Sequence, residues 1–318
     1  MAAMISDSLT GASGTRPGQP GGSPDPVFLL APARSYSTVS IALLAGHPSL
    51  YGLPETSLFT SQALGERIAA ANRPGVKNGW VQLTGLARAV AQLHEGRQDP
   101  AALSRAAEWI RERSAQSPKQ VMDHLLGLIS PLTGVEKSPL TVGSAQALST
   151  CMRAYPNARY LHLVRHPVST LRSMLSLYDT FLFPPQMTYQ ERVRRCLLDW
   201  YACHLRIVQA LRGLPEWQWM RVRAEDLIGR PRGWLPHVLC WLGLDHDEAI
   251  IGRMIQTERW EFASWGKEAG FGGGDPKFLN DPVLRPVPPP AHDVISPGCQ
   301  ISDGARERIT VLARHLGY

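Results

Sequence analysis
The chain has 318 residues, 44% of them apolar, and a formal charge of +6. That is enough for one large α/β domain with insertions or for two modest domains, with a sizeable core. The modest positive balance suits an anionic ligand, whereas the scattered arginines, without interleaved aromatics in a basic patch, argue against a nucleic-acid partner.

Residues 1–25 are rich in Gly, Ser and Pro and read as a disordered tail without the apolar run of a signal peptide. Val27-Phe28-Leu29-Leu30-Ala31 has the continuous apolar character of a buried parallel strand. A helix pattern follows from Thr38 through Leu44 and stops at Gly46-His47-Pro48, and Ser49–Leu53 reads as a second strand. Residues 57–130 look helical almost throughout, with breaks at Arg73-Pro74-Gly75 and Asp99-Pro100. A strand is expected around Val135, a helix over about Val142–Tyr155, and a central strand at Tyr160–Val164. Pro167 suits the first turn of the next helix, and another spans roughly Tyr189–Leu211. Trp217–Val222 reads as a strand, Trp234–Leu242 as a short helix, 264–300 as a Gly- and Pro-rich loop, and Gly304–Leu316 as a closing helix.

The five cysteines, Cys151, Cys196, Cys203, Cys240 and Cys299, show no C-x-x-C spacing, which speaks against structural zinc and a dithiol redox motif. An odd, sparse set suits a reducing compartment. No stretch approaches the length of a membrane span, so a cytoplasmic chain without a membrane partner is expected.

Strands alternating with helices predict an α/β fold with a central parallel sheet flanked by helices, and ligands in such sheets bind at the carboxyl ends of the strands. The chemistry is therefore sought just after Ala31, Val135, Val164 and Val222. After the first strand, Arg34-Ser35-Tyr36-Ser37-Thr38 is a basic, hydroxyl-rich turn opening a helix, where unpaired N–H groups favour phosphate. The alternative is that Ser37 or Thr38 merely caps the helix. There is no G-x-x-x-x-G-K-[ST]; the Gly266-Lys267 pair is followed by Glu268, which disfavours an ordinary ATP-binding P-loop. Arg165 follows the central strand and Ser173 lies about two turns on, a spacing that could grip a second phosphate or could be a surface arginine and a helical serine.

Together these segments resemble the sulfotransferase family. Its first motif, a strand followed by Lys/Arg-Ser-Gly-Thr/Ser-Thr and a helix, has its counterpart in Arg34-Ser35-Tyr36-Ser37-Thr38. Its second, a strand then Arg-x-Pro with Ser eight residues after the Arg, is similar to Arg165-His166-Pro167 and Ser173. Glu136-Lys137-Ser138-Pro139, Arg223-Ala224-Glu225-Asp226-Leu227 and Gly273-Gly274-Asp275-Pro276-Lys277-Phe278 resemble three further elements, so the likeness runs in order over about residues 26–280. The look is closest to bacterial natural-product sulfotransferases, including polyketide-associated domains. Three departures stand out: Tyr36 replaces a glycine, Ala224 a tyrosine, and no histidine follows Lys137 where many cytosolic members carry one.

The resemblance implies a P-loop-like sulfotransferase fold over 26–318, with 57–130 as helical lid and acceptor region. It implies 3′-phosphoadenosine-5′-phosphosulfate (PAPS) as co-substrate, 3′-phosphoadenosine-5′-phosphate (PAP) as product, and no metal. Arg34, Ser35, Tyr36, Ser37, Thr38, Arg165, Ser173 and Lys277 would hold the nucleotide. Arg34 and Lys137 would neutralise charge at the bridging oxygen, and Glu55, in a Pro-Glu-Thr similar to one that carries a base in related enzymes, would take the acceptor's proton. His47 is the other candidate base, and Glu55 could instead only complement a helix dipole. The acceptor would be the hydroxyl of a small molecule, free or presented on an acyl carrier protein. The alternatives are a small-molecule kinase, which would need a Walker-type lysine, and a non-catalytic nucleotide- or carrier-binding module. Trp80 and His94 in the helical stretch read as core. The oligomeric state is not encoded in any of these motifs.

Overall fold
A computed structural model describes residues 23–73, 81–181, 186–264, 273–288, 293–295 and 299–318. Residues 1–22 of the tail, the break at Pro74-Gly75, Trp80 and Gly266-Lys267 lie outside the described residues. Five strands, β1 (Val27–Leu30), β2 (Leu50–Gly52), β3 (Thr133–Glu136), β4 (Arg159–Val164) and β5 (Trp219–Arg223), form one sheet in the order β2-β3-β1-β4-β5. Every pairing is parallel; Val27 sits opposite both Val135 and Arg159. The helices are α1 (Ser37–Ala45), α2 (Leu64–Ala71), α3 (Val81–Glu95), α4 (Pro100–Glu112), α5 (Pro118–Ile129), α6 (Ala145–Ala154), α7 (Pro167–Phe181), α8 (Tyr189–Leu211), α9 (Ala224–Gly229), α10 (Pro231–Leu242), α11 (Glu248–Met254), α12 (Pro276–Asn280) and α13 (Asp303–His315).

The two-residue period of β1 explains the layers. Phe28 and Leu30 face a core shared with α3, α4 and α5 and with Ile207 and Leu211 of α8. Val27 and Leu29 face a second core with α1, α9, α10 and α11. A third cluster joins α7, α8 and α13. Both sheet faces are covered, as a parallel sheet requires. The four helices between β2 and β3 are thus integral to the core. Their starts are written locally: Asp99 and Ser117 each cap a helix whose first residue is proline, and Ser117 forms a capping box with Gln120.

The structure departs from the pattern-based reading in short elements. Residues 139–142 form a 3₁₀ turn before α6, Glu216–Gln218 another before β5, and α12 occupies part of the stretch read as loop. None is long enough to show a periodicity. Among the described residues no helix is long and apolar enough to cross a membrane.

The connection after β1 crosses to one edge of the sheet, and β4 and β5 lie on the other side of β1. The helix after β1 packs on one face, while Ile207 and Leu211 of α8, the second helix after β4, reach the other. This reversal opens a crevice between the carboxyl ends of β1 and β4, the place where such folds bind ligands.

Candidate active site
The crevice is built from four strand exits. After β1 the chain takes two left-handed residues, Arg34 (φ 66°) and Tyr36 (φ 60°), before α1 begins. A non-glycine residue there costs about 1–2 kcal/mol, so the turn is held by its surroundings. Arg165, directly after β4, supplies the hold: its Nη1 donates to the Arg34 carbonyl at 2.7 Å and its Nη2 to Tyr36 Oη at 3.1 Å. The guanidinium also lies 3.9 Å from the centroid of the Tyr36 ring. Trp200 Nε1 donates to the Arg165 carbonyl at 2.9 Å, fixing the backbone below. Burial lowers the Arg165 pKa, the cost of keeping a charge away from water.

Arg34 and Ser173, from motifs well separated in sequence, touch: Arg34 Nε donates to Ser173 Oγ at 3.1 Å. Arg34 Nη1 pairs with Asp275 Oδ1 at 2.6 Å, and the arginine side chain is only 7% exposed. Lys277 crosses to α7, where its Nζ donates to Ser176 Oγ at 2.9 Å. Arg34, Tyr36, Arg165, Ser173, Asp275 and Lys277 line one cavity of about 480 Å³, which Arg172 also faces. Ser35 and Ser37 are buried in the turn, Ser35 Oγ without a hydrogen-bond partner, and Ser37 opens α1.

A second group sits at the exits of β2 and β3, which are neighbours in the sheet. Lys137 is 1% exposed and pairs with the Glu55 carboxylate, which is 26% exposed. Lys137 Nζ also donates to Thr38 Oγ1 at 2.8 Å, joining this group to the turn after β1. The Glu55 loop is bolted to β3. Buried Glu136 accepts from Thr56 N at 3.2 Å and Thr56 Oγ1 at 2.7 Å, and from the Ser138 hydroxyl. Ser138 Oγ in turn accepts from Ser57 N at 2.8 Å. Burial raises the Glu136 pKa, and the hydrogen bonds from Ser138 and Thr56 pull it back.

The late glycine-rich segment straps the two groups together. Gly273 carbonyl accepts from Glu55 N at 3.0 Å, and Asp275 N donates to Thr38 Oγ1 at 2.9 Å. Asp275 Oδ1 also caps α12 through Lys277 N at 3.0 Å. Asp275, Glu136, Ser138 and Thr56 lie within the quoted motifs, but the motif reading gave them no role. Asp275-Pro276 carried a signal, since aspartate before proline marks a helix start. The Arg223–Leu227 element acts from below: Glu225 accepts from His166 N at 2.9 Å and from Tyr318 Oη at 2.6 Å, bracing the turn that carries Arg165.

His47 lies elsewhere. It follows α1, at the amino end of the strands; its Nδ1 accepts from Ser49 N at 3.1 Å while Nε2 is 2.9 Å from the Asp245 carbonyl. An accepting Nδ1 leaves the proton on Nε2, so both nitrogens are committed to structure. His162 and His204 pair with each other at 2.9 Å inside the protein. His94, read as core, is exposed at its ring nitrogen, which faces that of His124 at 2.9 Å.

Two solved structures share this fold. The sulfotransferase domain from the curacin biosynthetic pathway superposes with a TM-score of 0.70 at 20% identity, covering 93% of this chain and 99% of that domain. The sulfotransferase domain of the Synechococcus PCC 7002 olefin synthase does so with a TM-score of 0.69 at 23% identity, covering 94% and 97%. Both show that the fold is shared. Among curated proteins none matches the sequence. With the sulfotransferase family model matching residues 26–248, the greater part of the described fold and the strand exits after β1 to β5, the chain belongs to the sulfotransferase family.

Proposed function
We propose that the protein transfers a sulfuryl group from PAPS to a hydroxyl of a small-molecule or carrier-bound natural-product intermediate, with PAP as the second product. The observation that carries this reading is the convergence of Arg34 and Arg165, from two different strand exits, on one cavity beside the Lys137–Glu55 pair. A nucleotide phosphorylated at both the 5′ and 3′ positions needs two separate cationic grips, and the residues fit it: Arg34, Ser35, Ser37 and Thr38 for the 5′ side, Arg165, Ser173 and Lys277 for the 3′ side.

The chemistry asks for alignment, charge neutralisation and proton removal. The acceptor oxygen forms a bond to sulfur as the bond from sulfur to the phosphate oxygen breaks, and the electron pair stays on that phosphate. Arg34 and Lys137 would stabilise this charge. Glu55 would accept the hydroxyl proton; its 26% exposure leaves it open to an acceptor. Lys137 faces both Glu55 and Thr38, which suits a cation lying between donor and base.

The segment 57–130 is the acceptor side of a single domain spanning 26–318 in this reading. It is supported by Gly85 of α3, whose backbone abuts the Glu55 carbonyl. The two structural relatives are named for a curacin pathway and an olefin synthase, which favours a natural-product acceptor. PAP should raise the melting temperature of the protein in thermal denaturation, and ATP, which lacks a 3′-phosphate, should not. Equal shifts with the two ligands would overturn the assignment of the donor.

A further inference from the structure
Tyr36 stands where the resemblance puts glycine, in a backbone conformation that glycine favours (φ 60°, ψ 18°). A side chain that persists against its own backbone preference is explained by what it touches. Here that is Arg165. The ring face lies 3.9 Å from the guanidinium carbon, inside cation–π range, and the hydroxyl accepts from Nη2 at 3.1 Å.

A guanidinium has five N–H groups in a rigid fork. Arg165 uses one on Nη1, to the Arg34 carbonyl, and one on Nη2, to Tyr36 Oη. Its Nε is buried without a hydrogen-bond partner, and the whole residue is 9% exposed. Arg165 and Tyr36 line the same cavity as Arg172, Ser173 and Lys277. The arrangement is a cation held over an aromatic ring with donors unspent. A free arginine would lose rotamer freedom on gripping an anion; one already stacked loses less.

We propose that Tyr36 is a positioning and specificity-determining residue of the donor cavity: its ring fixes the plane of the Arg165 guanidinium, so that the protein selects nucleotides bearing a 3′-phosphate. The inference rests on the reading that Arg165 faces that phosphate. Tyr36 contributes no charge of its own. It acts by presenting Arg165 in one orientation, and its effect disappears when Arg165 is removed.

The test is calorimetric titration with PAP and with adenosine 5′-monophosphate, which differ only in the 3′-phosphate. In Tyr36→Gly the preference for PAP should fall by about tenfold, the scale of a partly buried cation–π contact, while affinity for the monophosphate stays within about threefold. Tyr36→Phe keeps the ring and should lose no more than about threefold of the preference, and Tyr36→Leu, bulky without a π face, should behave like Tyr36→Gly. In an Arg165→Ala background, Tyr36→Gly should change the preference no further. An unchanged preference in folded Tyr36→Gly and Tyr36→Leu, or an equal loss for both ligands, would overturn the role of Tyr36. A native protein that binds both nucleotides equally would instead remove the donor reading on which the role depends.

Discussion

Glu55 is fixed through its backbone and free at its tip. Its N–H is held by the Gly273 carbonyl at 3.0 Å, its own carbonyl packs on Gly85, and its carboxylate remains partly open beside Lys137. In the proposed mechanism, Glu55→Gln keeps this shape and removes the proton acceptor. Turnover should fall by ~10²–10⁴-fold, the usual worth of a positioned base, with PAP affinity by calorimetry nearly unchanged. The loss should shrink for an acceptor with a more acidic hydroxyl, and near-normal turnover would exclude Glu55 as base. At this scale the sequence named the residue but not its setting. Glu55 and Lys137 are 82 positions apart, and only the adjacency of β2 and β3 brings them into an ion pair. His47, the second candidate base by residue type, lies at the far end of α1 with both ring nitrogens engaged, away from Lys137 and Glu55.

The helices between β2 and β3 reach the site through one glycine. A Cβ on Gly85 would lie 2.0 Å from the Glu55 carbonyl oxygen and 2.9 Å from the Gly273 Cα, so α3, Glu55 and the late loop meet at a point where only hydrogen fits. Gly85→Ala should destabilise by about 1–3 kcal/mol, the range for overpacking, and should lower turnover at temperatures where the protein is still folded. Gly127→Ala in α5 is the contrast. The position is exposed with nothing within 4 Å, and the gain in helix propensity should raise stability by about 0.5–1 kcal/mol in the same denaturation assay. Long elements were legible because their periodicities are local: the break read at Asp99-Pro100 is the start of α4, whereas the start of α5 at Ser117-Pro118 was not separated from the helical run. α9, α11 and α12 were not legible, being six, seven and five residues long. Helices of that length form because packing holds them, and packing partners are distant in sequence.

For the molecule as a whole, five of the described histidines couple stability to pH: the buried His162, His166 and His204, and at the surface His94 and His124, both lowered chiefly by partial burial. Burial pushes His204 down to about 3 and His166 down to about 4, and holds His162 well below its ordinary value, where the neighbouring His204 and Arg221 add to the effect. A depressed pKa means that the unfolded chain takes up protons before the folded one does. The contribution is therefore complete above the unfolded histidine value of about 6.5 and is lost progressively as pH falls towards the folded values. Glu136, raised by burial, works in the opposite sense, being favoured as pH falls towards the ordinary carboxylate range. Five histidines outweigh one carboxyl, so the melting temperature should drop between pH 6.5 and 5, before ordinary carboxylates titrate. A flat profile over that interval would show that the histidines are protonated in the native state. The parallel sheet and the carboxyl-end location of the site were readable from strand–helix alternation. The strand order was not, since it depends on which apolar strands find each other.

Both cations assigned to the donor's leaving group already carry a protein carboxylate, Arg34 with Asp275 and Lys137 with Glu55. In the proposed reading, a phosphorylated nucleotide entering this cleft competes with resident carboxylates for these two cations. Binding of that kind is an exchange between counterions, governed by the difference between two anions rather than by the full attraction of either. Small ions in the buffer then have less to release or to screen than in an open basic groove. The affinity for the nucleotide should accordingly vary only shallowly with ionic strength, and the empty protein is spared the mutual repulsion of uncompensated cations at the heart of its fold.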